Sequence, residues 1–112
     1  MSARLTSAFK VKALLRRVHD AGGSAMILAR GDAMSGAILV LTLDRGSDPA
    51  FHERGPGLGG ATALIRTGPT SGDSAAIDDY WQRRRCNDPD LWVVEVDIAG
   101  AERFAAETIA VD

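Results

Sequence analysis

One cysteine, two histidines and an aromatic content of 5% leave this chain poor in the residues from which most site chemistry is built. Cys86 stands alone, so an intrachain disulfide is impossible and a thiolate metal cluster cannot be made from it; a reducing, cytoplasmic setting is expected. His19 and His52 lack the paired spacing of zinc ligands, and no metal and no cofactor is expected. No apolar run exceeds five residues, against the roughly 20 that span a bilayer, so no membrane association is expected. Residues 1–20 are interrupted by arginine and lysine and lack the apolar stretch of a secretion signal. The net charge of -2 makes no case for nucleic acid.

What is present suits a folded domain. A hydrophobic content of 46% over 112 residues supplies a core without staples, and one domain spanning 1–112 is expected. The charge is unevenly placed. Arg4, Lys10, Lys12, Arg16, Arg17 and Arg30 face only Asp20 in residues 1–30, whereas only Arg103 offsets five acids from Leu91 onward. Such asymmetry suits opposed surfaces, an oligomer interface or a ligand preference.

Thr6 or Ser7 can cap a first helix in which Val11, Leu14, Leu15 and Val18 fall at i, i+3, i+4 and i+7, with Lys10, Lys12, Arg16 and Arg17 on its charged faces. Gly22-Gly23 ends it. Ala25–Ala29 and Ala37–Leu43 read as two apolar strands joined through Gly31–Gly36, and so short a connection predicts an antiparallel hairpin with both strands central. Residues 44–60 show no clear period; Arg45–Pro49 reads as a turn, Ala50–Arg54 as a short extended piece and Gly55–Gly60 as a loop. Thr62–Thr67 reads as a strand. Ser71 or Ser74 starts a helix through Arg85, with Ile77, Tyr80 and Trp81 making its contact stripe. Leu91–Val96 is a further strand, and Ala101–Ile109 a short helix with Phe104 and Thr108 or Ile109 inward. The expected fold is α+β: a single-layer, mostly antiparallel sheet of about four strands packed with two main helices, the second lying beside the first or opposite it.

Chemical motifs are sparse. Gly31–Gly36 and Gly55–Gly60 lack the lysine and the following helix of a phosphate cradle, and Asp73 opposes an anion at Gly68–Ser74. His19 suits the end of its helix, His52 lies in a polar segment, and Cys86 reads as a half-buried thiol after three arginines. Asp78/Asp79 do not face one another on a helix, and Asp88/Asp90 suit a turn. No catalytic residue emerges. An enzyme would need a concave pocket that gathers a histidine with carboxylates or with Cys86. The basic residues are the candidate contacts for an anion or nucleic acid: Arg4, Lys10, Lys12, Arg16 and Arg17, joined by Arg83, Arg84 and Arg85 if the fold brings them together.

Leu5-Thr6 with Phe9, Ala13–Val18, Ala21–Gly23, Arg30-Gly31-Asp32, Gly36–Ile38 and Asp88–Glu95 together resemble a small bacterial family, domain of unknown function 1491. The likeness spans nearly the whole chain, with residues 46–73 matching least clearly. It implies a stand-alone bacterial, chiefly alphaproteobacterial, domain and carries no activity or catalytic residue across. Within the resembling segments, Arg16, Arg17, Arg30, Asp32, Asp88, Asp90 and Trp92 are the candidates for a functional or structural role. The expected function is a non-enzymatic interaction or structural protein, with a protein partner or self-association through a strand edge or apolar face. Binding of nucleic acid or another anion through the first helix is the alternative, and an enzyme with an unrecognised site the third.

Overall fold

The computed structural model describes residues 5–69 and 72–111. The first helix, α1 (Ser7–Asp20), opens where the Thr6 side chain accepts from the Phe9 amide, satisfying one of the free donors of the first turn. Val11, Leu14 and Val18 are buried, Leu15 is half-buried, and Gly22 takes the left-handed conformation that ends the helix (φ 89°). Lys10, expected on a charged face, is instead only 7% exposed. Residues 24–29, 38–44, 47–56, 62–67 and 92–97 form strands β1 (Ser24–Ala29), β2 (Ile38–Asp44), β3 (Ser47–Pro56), β4 (Thr62–Thr67) and β5 (Trp92–Asp97). Helices α2 (Ser74–Asn87) and α3 (Ala101–Ile109) complete the order.

The sheet has five strands in the order β1-β5-β2-β3-β4, and it is mixed, because β5 runs parallel to β2 and antiparallel to β1. The expected β1–β2 hairpin is therefore not formed. The two strands are antiparallel, but β5 lies between them, and the connection spans a doubled strand spacing of about 10 Å. β5 takes the middle because Leu91–Val94 and Val96 are almost completely buried, apolar on both faces. β1 is displaced to an edge, with Ser24 and Met26 exposed, so only β2 keeps the central place expected of both.

The true hairpin is β2–β3. Arg45 and Gly46 both have positive φ (52° and 75°), the paired left-handed residues of a tight hairpin turn, and Ser47–Pro56 is the longest strand of the sheet. Pro49 is tolerated in it because β4 pairs only from Phe51 onward, leaving no ladder bond for the missing N–H on that side. Alternation along β3 sends Phe51 and Glu53 to one face and Ala50, His52 and Arg54 to the other.

One face of the sheet packs on α1 and α3 through Val11, Leu14, Val18, Val40, Val94, Ala105 and Ile109. The other packs on α2 through Leu39, Phe51, Val93 and Ile77, with Tyr80 and Trp81 at the margin and the Phe51 and Tyr80 rings 4.8 Å apart. The second helix thus lies opposite the first. Its cap is Asp73, whose carboxylate accepts from the Ala76 amide, with Ser74 as the first helical residue. Ser71 lies outside the described residues. In α3, Thr108 and Ile109 are buried and Phe104 is half-buried.

Candidate functional site

The basic residues divide between two faces of the sheet. On α1, Lys12 and Arg16 are exposed, and Arg16 pairs loosely with Asp20 at 3.8 Å. Arg17 turns toward α3: it donates to Glu107 at 2.6 Å and to Thr108 at 2.8 Å, with its guanidinium 5.6 Å from the Phe104 ring centre. That bond holds the Glu107 carboxyl below its ordinary value. The basic first helix and acidic last helix are thus neighbours, and the charge asymmetry of the chain is met partly within the fold.

On the opposite face, Arg83 pairs with Asp79 at 2.9 Å. Arg84 makes a two-pronged contact with Glu53 (2.7 and 2.8 Å) and a third bond to the Tyr80 hydroxyl (2.9 Å), and these bonds raise its pKa. Burial pushes the Glu53 carboxyl up, but Arg84 and the Thr67 hydroxyl together more than offset this and its pKa is lowered. Arg85 donates to the Arg30 carbonyl at 2.8 Å. The α1 and α2 cations therefore do not share one surface. Arg4 lies outside the described residues.

Arg30, Asp32, Asp88, Asp90 and Trp92 do come together, in a clasp that fixes the β1–β2 connection over the start of β5. The Asp32 amide donates to the Asp90 carbonyl at 3.0 Å, the Trp92 indole N–H donates to the Asp32 carbonyl at 2.8 Å, and the Trp92 amide donates to the Ala37 carbonyl at 2.8 Å. The Asp32 carboxylate accepts from the Met34 and Ser35 amides, and Asp88 accepts from the Asp90 amide. Arg30 stacks over Trp92 at 5.3 Å. Ser7 ties α1 to the same loop through the Gly36 carbonyl at 2.6 Å. Gly36 is required by proximity: a Cβ there would stand 2.1 Å from the Asp90 carbonyl oxygen. Beside the clasp a groove of about 310 Å³ is lined by Leu5, Lys10, Met34, Ile38, Arg54 and Ile109.

His52 is the residue that sequence reasoning misplaced. It is buried at 4% exposure on the α3 side of β3, in a pocket of about 370 Å³ lined also by Thr42, Asp48, Arg66 and Glu102. Its Nδ1 lies 3.4 Å from the Thr42 hydroxyl and its Nε2 3.8 Å from a Glu102 carboxylate oxygen. Arg66 is directly across the strand pair from it. Burial pushes the imidazole below the ordinary value of 6.5; Glu102 opposes that and Arg66 adds to it. This concavity gathers a histidine with carboxylates. His19 is elsewhere, with Nε2 3.2 Å from the Ala25 carbonyl, and Cys86 is exposed, not half-buried. The alternation of Ala50, His52 and Arg54 was the available signal, hidden because Arg45-Gly46 lacks the usual turn residues and Pro49 breaks the strand pattern. Among the described residues no three His, Cys, Asp or Glu side chains converge as metal ligands.

The family model described as Protein of unknown function (DUF1491) matches residues 5–106. The chain belongs to that family. Among solved structures, this DUF1491 chain is similar to the crystal structure of a DUF1491 family protein from Caulobacter crescentus CB15, at 28% identity and a TM-score of 0.78, over 90% of this chain and 94% of that one. The NMR structure of a DUF1491 family protein from Caulobacter crescentus CB15 matches at 27% identity and a TM-score of 0.78, over 99% and 100%. The solution structure of a protein from A. tumefaciens matches at 29% identity and a TM-score of 0.68, over 85% and 86%. These relatives come from alphaproteobacteria, and none of their descriptions states an activity. Comparison with curated proteins gives no match.

Proposed function

We propose that this DUF1491 chain is a protein-interaction module that self-associates through the β1 edge. The carrying observation is that edge: β1 lies at the margin of the sheet, its six residues Ser24–Ala29 include no charge, and Met26 is 53% exposed on the side where α2 does not cover it. An open strand edge presents unsatisfied backbone donors and acceptors, which proteins usually blunt with charge, proline or cover. Here the blunting is slight: a register shift between Ile27 and Ala29, and His19 at the Ala25 carbonyl. A second copy suits the edge because antiparallel self-pairing about a two-fold axis sets like residues near like. An uncharged strand does so without repulsion. Among the described residues no helix is long and apolar enough to cross a membrane, and the free, exposed Cys86 favours a cytoplasmic setting.

The test is light scattering coupled to size exclusion across a dilution series. The expected result is a two-chain species that dissociates on dilution. Met26→Lys, which sets two cations near one another across the pair, should weaken it about tenfold or more. Met34→Lys, at an exposed site away from the edge, should leave it intact. A wild-type chain that is monomeric at every concentration overturns the proposal, as does a Met26→Lys variant that dimerises as before.

A further inference from the structure

The pocket around His52 is built in a way that its fold role does not require. Thr42 donates its hydroxyl proton to the Ala50 carbonyl at 3.2 Å, a group that can only accept. With that proton committed, the Thr42 oxygen faces His52 Nδ1 as an acceptor, so Nδ1 carries the imidazole hydrogen and the lone pair of neutral His52 is on Nε2. Nε2 has no hydrogen bond among the described residues, although the side chain is only 5% exposed. Across from it at 3.8 Å stands a Glu102 carboxylate oxygen, a second acceptor. Two acceptors thus face each other with no donor between them.

A donor of positive charge resolves that arrangement. An ammonium nitrogen about 2.8 Å from each acceptor would bridge them with its two bonds roughly 85° apart, within the reach of adjacent N–H groups. The charge of the lining agrees. With His52 neutral, the carboxylates Asp48 and Glu102 outnumber the single guanidinium of Arg66, leaving an excess of one negative charge. Arg66, on the same sheet face as His52, supplies an anchor for a carboxylate on the same molecule. The volume of about 370 Å³ admits a small metabolite. We propose that this pocket binds a small molecule through a primary ammonium group held between His52 Nε2 and Glu102, the ammonium being that of a simple amine or of an α-amino acid.

The test follows the imidazole nitrogens of the uniformly ¹⁵N-labelled full chain by NMR at pH 8, with the two histidines assigned through His19→Gln. Methylammonium, glycine, acetate and tetramethylammonium are titrated at constant ionic strength. Methylammonium and glycine should each move the His52 Nε2 resonance saturably and leave His19 in place; tetramethylammonium, which has no N–H, and acetate should not. Glu102→Gln, at an exposed side chain, should keep the folded spectrum and weaken methylammonium about tenfold. Tighter binding of glycine that Arg66→Gln abolishes identifies the amino-acid source, and equal binding identifies the amine source. No saturable shift with either ammonium ion, an equal response to tetramethylammonium, or an undiminished affinity in Glu102→Gln overturns the proposal.

Discussion

The clasp around Trp92 and the pocket around His52 are both polar, and both join residues far apart in sequence. In the clasp nearly every contact is donor to acceptor, and much of it is backbone: Asp32 to Asp90, Trp92 to Ala37, the Trp92 indole to Asp32. In the pocket a buried imidazole meets a carboxylate acceptor with acceptor, and a guanidinium stands alongside. A satisfied network confers rigidity and a unique arrangement; a polar atom left without a partner on a pocket wall is free to take one from a ligand. The segments that resemble the family include the clasp as well as the first helix, so residues prominent in the sequence hold the β1–β2 connection around β5. His52, which the proposed ligand would meet, lies in the segment 46–73 where the resemblance is weakest.

Breaking the clasp should have the largest effect. Gly36→Ala drives a Cβ into the Asp90 carbonyl and within 3.0 Å of the Asp32 backbone, groups that cannot swing aside. A loss of at least about 4 kcal/mol in urea unfolding is expected, placing this among the exceptional single substitutions. Trp92→Phe keeps most of the buried ring but removes the donor to the Asp32 carbonyl, and should cost about 1–2 kcal/mol by the same measurement.

The pocket should answer in pH dependence more than in stability at neutral pH. The folded pKa of His52 is lowered below 6.5, so the unfolded chain binds its proton first. Its contribution is therefore complete above about 6.5 and is lost as pH falls through the lower folded value. His52→Gln should flatten the decline in melting temperature across that window. Glu102→Gln should leave stability at pH 7 within about 0.5 kcal/mol, yet move the His52 titration further down, since Glu102 is the group that opposes the shift. An unmoved titration would show that the two side chains do not sense each other, and would erase the contrast with the clasp.

Much of this was written in local pattern. Thr6 with the 3.6-residue stripe of Val11, Leu14 and Val18 dictates α1 and its buried face, and Gly22 its end. Thr62–Thr67 and the apolar run from Leu91 specify strands by themselves, and Ala101–Ile109 a helix. Pairing was not local. The choice between a β1–β2 hairpin and insertion of β5 depends on which strand is apolar on both faces and must be covered on both, a competition decided only when all five strands are assembled. The same holds for charge. Arg17 meets Glu107 because helices from opposite ends of the chain pack on one face of the sheet, and Arg84 of α2 meets Glu53 of β3 because α2 packs on the face to which Glu53 points. His52 looked like part of a polar segment because its neighbours in sequence are polar; its neighbours in space are Thr42 from one strand, Arg66 from another and Glu102 from a helix 50 residues on. Period-two alternation assigns a side chain to a face of the sheet. Only the packing of α3 over that face buries His52 against a carboxylate, and that burial is what gives it a distinctive chemistry.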